Sequence, residues 1–246
     1  MRHSANDILS PMLESSPAHR MPDAANSEMI YLKIPVGLLQ CNCAIIGDPH
    51  TLEAIVVDPG DEVERILGLL GRYKLTVKAI VSTHAHIDHV GGLAKLQRFT
   101  GAPVLMHRED LPLYQAMDVQ AAFLGVAPPQ LTEVDHLLKD GDSLRWGLFE
   151  AKVMHTPGHS PGSVCLYLPN VGVNLTLPNP KLFAGDTLFA GSIGRTDLWG
   201  GSMEQIMDSL RGKLMELPEH TVVHPGHGLA TTIGEERQSN PFLVSA

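Results

Sequence analysis

Residues 83–89 read Thr-His-Ala-His-Ile-Asp-His, placing His84, His86, Asp88 and His89 within six consecutive positions, with Gly91-Gly92 immediately after. In water such a cluster would do nothing. Buried without a cation, it would be a set of costly unsatisfied polar groups. Two divalent cations side by side give every member a partner. The spacing divides the set: His84 and His86 are two apart in an extended segment, so both rings turn towards one cation. Asp88 and His89 lie past a bend, at the start of a predicted helix, placed for a second cation.

Four positions elsewhere share one pattern, a strand-like run ending in His or Asp beside glycine. They are Asp58 before Pro59-Gly60, His159 after Pro157-Gly158, Asp186 after Ala184-Gly185, and His227 after Pro225-Gly226. Strand ends project side chains from a rigid base, and glycine lets backbone approach a cation closely. Singly, each is an ordinary turn residue. Together with the cluster they make a candidate ligand set. His155 and His224, each within four residues of one of them, are read as cleft-lining residues without a catalytic role.

Hydrophobic residues make up 43% of the 246, enough for a sizeable core. Residues 1–28 lack periodicity and are predicted to be a disordered N-terminal extension, with 29–246 as one domain. Strand-like runs fall at 30–35, 43–46, 54–57, 77–81, 103–106, 144–155, 163–168, 181–184 and 221–223. Helical spacing covers 62–73, 90–99, 108–123 and 203–217. Such interspersion predicts sheets flanked by helices.

A formal net charge of −9 with no cluster of Lys/Arg argues against a nucleic-acid partner. No apolar run is long enough to span a membrane, and no signal-peptide core is present, so the expected location is cytoplasmic. Cys41, Cys43 and Cys165 are an odd number and read as reduced, partly buried thiols. The single residue between Cys41 and Cys43 is taken to turn them to opposite strand faces. The glycosylation sequon at Asn174-Leu175-Thr176 is moot without secretion.

The segments T-H-A-H-I-D-H-V-G-G, T-P-G-H-S, A-G-D-T-L-F and H-P-G-H-G, in this order, resemble the metallo-β-lactamase superfamily. Within it they are similar to the glyoxalase II-like (hydroxyacylglutathione hydrolase-like) enzymes of the short single-domain branch. Gly194-Arg195-Thr196-Asp197 and the tail through Phe242-Leu243 match that branch too. The resemblance implies an αββα sandwich, two mixed β-sheets flanked by helices. It assigns His84, His86 and His159 to one metal and Asp88, His89 and His227 to a second, with Asp186 bridging. Five imidazoles and two carboxylates suit Zn²⁺ and also accept Fe or Mn. Asp58 is then expected to order the His-rich loop without touching metal.

The implied activity is hydrolysis of a thioester by a metal-bridging hydroxide, with Asp88 both ligand and orienting group. The implied substrate is S-D-lactoylglutathione, a glutathione conjugate, cleaved to D-lactate and glutathione. Longer relatives append a glutathione-binding helical domain, whereas nineteen residues follow His227 here, so the core loops or a different thioester must answer for recognition. Arg195 either anchors a substrate carboxylate or pairs with Asp197. Other readings on the same scaffold are a mononuclear-iron glutathione persulfide dioxygenase, a lactonase and a non-catalytic metal-binding protein. Monomer and homodimer are both compatible with the sequence.

Overall fold

The computed structural model describes residues 29–169 and 177–244; the predicted N-terminal extension and the sequon at 174–176 lie outside them. Strands β1 (Ile30–Val36), β2 (Cys41–Gly47) and β3 (Glu53–Val57) pair antiparallel in chain order. The sheet continues in parallel through β4 (Thr76–Val81), β5 (Val104–His107) and β6 (His136–Leu138). Parallel neighbours need crossovers, and helices supply them. They are α1 (Val63–Arg72) before β4, α2 (Ile87–Val90) and α3 (Leu93–Thr100) before β5, and α4 (Leu111–Gln115) and α5 (Met117–Leu124) before β6.

The second sheet comprises the hairpin β7 (Ser143–Trp146)–β8 (Phe149–His155), then β9 (Val164–Leu168) and β10 (Lys181–Gly185). A separate small hairpin, β11 (Leu188–Phe189)–β12 (Ser192–Ile193), intervenes. β13 (Val222–Pro225) then pairs parallel to β10, and β14 (Thr231–Thr232) forms the edge. Helices α6 (Met203–Gly212), α7 (Ile233–Ser239) and α8 (Pro241–Val244) complete the described chain.

Three apolar layers separate four structural ones. Every residue of β2 is buried because both its faces are covered. Cys43 and Ile45 pack with Ile66 and Leu96 on the helix side, while Ala44 and Ile46 face Val153 and Leu166 of the other sheet. Beyond that sheet, Leu182 and Val223 meet Ile206 and Leu210 of α6 and Ile233 of α7. This is the αββα sandwich. Cys41 and Cys43 point the same way, contrary to expectation, because residues two apart on a strand share a face. All three cysteines are free and buried.

Two further boundaries differ from the sequence pattern. The run 144–155 is a hairpin, because Gly147 turns the chain at φ +54°. The helix expected over 90–99 breaks at Gly91-Gly92, where the Gly92 amide bonds to the Pro59 carbonyl at 2.9 Å instead of continuing the helix. β3, β4 and β5 run together, as do β8, β10 and β13. The loops leaving these six strands carry all the candidate ligands.

His224 on β13 lies between Tyr31 and Phe183, ring centroids 4.4 and 5.0 Å away. Burial, with help from Lys181 and Lys33, pushes its pKa down from 6.5 to about 4. The folded chain therefore refuses a proton that the unfolded chain accepts, and stability falls as pH drops from 6.5 towards 4. Between pH 7 and pH 5 the expected loss from this one residue is about 2 kcal/mol. Urea midpoints of metal-free wild type and His224→Phe at the two pH values measure it. Identical pH dependence in the two proteins would show that His224 is not its source.

Candidate metal centre

Each candidate side chain sits where a strand has just ended. Val81 of β4 leads into Ser82 and the His-rich loop, whose Asp88 and His89 fall in α2. His159 lies in the loop after β8, Asp186 directly follows β10, and His227 comes two residues after β13. Close backbone approach decides two of the glycines. A Cβ on Gly60 would lie 1.5 Å from the Asp88 carbonyl oxygen, and one on Gly226 would lie 2.2 Å from Asp186 Oδ1. Larger residues there would push Asp88 and Asp186 out of place.

Hydrogen bonds on the outer side of the rings fix what faces inward. Thr83 Oγ1 donates to Asp58 Oδ2 at 2.6 Å, so it accepts from His84 Nδ1 at 3.1 Å. His159 Nδ1 donates to the Arg195 carbonyl at 2.8 Å, and His227 Nδ1 to the Leu39 carbonyl at 3.1 Å. His89 Nδ1 donates to Asp58 Oδ2 at 3.0 Å. A neutral ring that donates outward presents a bare lone pair inward.

Those lone pairs meet. The Nε2 atoms of His84 and His159 are 3.2 Å apart, and His86 Nδ1 is 2.9 Å from His159 Nε2. In a second group His89 Nε2 and His227 Nε2 are 3.2 Å apart, with Asp88 Oδ2 at 3.1 Å from His227. Asp186 Oδ2 stands 3.6 Å from both His159 Nε2 and His227 Nε2, so it reaches both groups, and its Oδ1 is buried with no hydrogen bond. Converging lone pairs repel unless a proton or a cation stands between them, and a cation in each group turns the conflict into coordination. The donors fit two divalent cations.

Protonation separates the groups. Burial, then the neighbouring imidazoles, holds His84 well below its ordinary pKa and His86 at about 3. These rings are ready for a cation at neutral pH. Burial also pulls on His89 and His227, but the facing charges outweigh it. Asp186, Asp88 and Asp58 raise His89 well above its usual value, and Asp88 and Asp186 raise His227. A cation there competes with a proton for the same nitrogen. Cys41 Sγ lies 3.4 Å from His89 Nδ1, yet burial pushes its thiol up to about 12, so it stays protonated.

A profile of the metallo-beta-lactamase superfamily matches residues 36–227. The chain belongs to that superfamily. Hydroxyacylglutathione hydrolase GloC of Haemophilus influenzae is 36% identical over 219 residues, covering 86% of this chain and 97% of that one. Among solved structures, the BLEG-1 B3 metallo-beta-lactamase superposes with TM-score 0.78 at 38% identity, covering 87% of this chain and 99% of its own. TTHA1623, solved in a di-iron-bound form, gives TM-score 0.73 at 40% identity, with 86% and 100% covered.

In this superfamily member three buried polar residues outside the expected set hold the ligand loops. Asp110 accepts from the Ala85 amide at 2.7 Å, Ser160 Oγ at 2.8 Å and the Gly162 amide at 2.6 Å. It thereby joins the His84–His86 segment to the loop of His159. Asp58, with φ +51°, braces the other side through the Thr83 amide, Thr83 Oγ1 and His89. Gln120 accepts from the Ile87 amide and donates to the Ala85 carbonyl, and Asn42 donates to the carbonyls of Pro225 and Gly228. Arg195 forks onto Asp197 at 2.7 and 2.8 Å. His155 and His224 do not line the cleft: His155 stacks on His107 at 4.0 Å, and His224 is enclosed by aromatic rings.

Asp110→Asn puts an amide donor where one oxygen now accepts, opposing a backbone or hydroxyl donor. Zinc affinity is expected to fall by about ten- to a hundredfold, measured by chelator competition, with the metal-free unfolding midpoint as the control for folding. Unchanged affinity would remove Asp110 from the support of the site.

Proposed function

We propose that the chain is a dinuclear metal-dependent thioester hydrolase that converts S-D-lactoylglutathione to D-lactate and glutathione. One observation carries the reading. Apart from the candidate ligands themselves, Arg195 is the one ionisable residue among the described residues that line the cleft over the two donor groups. A thiolate is a good enough leaving group to depart without strong help from a general acid, whereas alkoxide and amine leaving groups depend more on a proton donor. Similarity to GloC supports the same substrate class.

Two bound cations would supply Lewis acidity and hydroxide at neutral pH. The protein's part is to hold the groups still. Asp186 spans both donor groups, and Asp88, beside His227 Nε2, accepts and orients the proton of the attacking water. Burial raises the Asp88 pKa, but His89 and His227 outweigh it and hold the carboxyl low, so it serves as an acceptor. The carbonyl carbon gains an oxygen from water as its bond to sulfur breaks. Acid and thiol are the products. The Arg195 carbonyl fixes His159, while Nη1 of its guanidinium, outside the fork on Asp197, is proposed to meet a substrate carboxylate. Zinc is the proposed cation, with iron the alternative that the di-iron form of TTHA1623 brings forward.

Asp186→Asn, which weakens the bridging carboxylate, is expected to lower kcat/KM on S-D-lactoylglutathione by about a hundredfold or more. Thiol release from metal-loaded protein measures it. A wild type that binds two metals tightly but releases no thiol from any thioester would instead support a non-catalytic metal-binding protein.

A further inference from the structure

A second cavity adjoins the metal cleft, and Gln120 and Trp199 line both. Its volume, about 340 Å³, lies in the range of small-molecule sites. Pro112, Leu113, Ala116, Val119, Pro161 and Trp199 form its apolar walls. Its polar lining has little to offer a ligand. The Gln120 amide is spent on Ile87, Ala85 and Leu113, and Glu109 is exposed and acidic. No Lys or Arg is among the described residues that line this cavity.

The surroundings point the same way. Trp199 lies 5.7 Å from Phe123 and 6.4 Å from the His86 ring, centroid to centroid, so an aromatic pair stands beside the first donor group. Phe123 is 65% exposed, Val119 52% and Trp199 38%, a concentration of large apolar side chains at the mouth of a reactive site. The cavity on the other side of the cleft also lacks Lys and Arg, and Asp61 and Asp88 line it. Beyond the metal centre, a substrate recognised mainly by its negative charges would find one basic side chain among the described lining residues, already paired with Asp197.

We infer that the cavity behind Trp199 receives an apolar acyl chain, so that the preferred substrates are thioesters of medium-length acyl groups larger than lactoyl. This rests on the thioester reading and extends it. Thiol carriers are polar, with amides and charges along their length. The apolar part of a thioester is its acyl group, and a mainly apolar cavity next to the carbonyl-activating centre matches that part. Burying methylenes one by one raises affinity in a chain-length-dependent way until the cavity is full.

The test compares S-acetyl-, S-lactoyl- and S-octanoylglutathione on metal-loaded protein. Octanoyl is expected to exceed acetyl in kcat/KM by about tenfold or more. Val119→Phe, which fills the cavity from an exposed position, is expected to cut that ratio about tenfold, and Val119→Ala to shift the optimum to longer chains. Binding is read separately on metal-free protein from tryptophan fluorescence. Of the two tryptophans, Trp146 is 1% exposed, so quenching by S-octanoylglutathione reports Trp199. Equal rates for all three acyl groups, unmoved by either variant, would overturn the inference and leave the hydrolase reading standing. Quenching that Val119→Phe abolishes, with no turnover of any thioester, would keep the cavity and defeat the hydrolase. The absence of both quenching and a chain-length effect would end the inference outright.

Discussion

The convergence of imidazole lone pairs is the constraint on which the rest of the structure depends. His84, His89, His159 and His227 each have Nδ1 committed to an oxygen outside the centre, so each turns Nε2 inward; His84 and His159 present it bare, while at His89 and His227 a proton competes for it. Those outward acceptors are two carbonyls, one hydroxyl and one carboxylate, all on loops that leave strand ends or precede β2. The chain thus builds a cation site by assigning hydrogen bonds on the far side of each ring. Asp186 then links the halves.

The sandwich exists to hold those loops in register. Strands with the same direction deliver their C-terminal loops to one end, and the three apolar layers keep the strands from shifting relative to each other. Two buried carboxylates complete the work. Asp58 fastens the start of the His-rich loop, and Asp110 fastens its middle to the loop of His159. Burial raises the Asp110 pKa, opposed by its bonds from Ser160, Gly162 and Ala85. A charge there is tolerated because every lone pair direction in use ends on a donor.

How much of this was legible in the sequence follows from how local each feature is. The cluster from His84 to His89 is contiguous, and its partners announced themselves through glycine beside a strand-ending His or Asp. Asp110 ends no glycine motif, and its partners Ala85 and Ser160 are 25 and 50 residues away. Gln120 sits on α5 among apolar residues and reaches Ile87 from 33 residues away. β6, β11, β12 and β14 are too short to show alternation and exist only through pairing with a neighbour. The gap at Gly91-Gly92 arises from contact with Pro59, which helical spacing alone does not contain.

The metal stoichiometry of a purified sample, determined together with its turnover, tests the central claim most directly. Two equivalents of metal per chain accompanied by thioester hydrolysis is the result this account predicts. One equivalent of iron, with oxygen uptake on glutathione persulfide and no thioester hydrolysis, would contradict it.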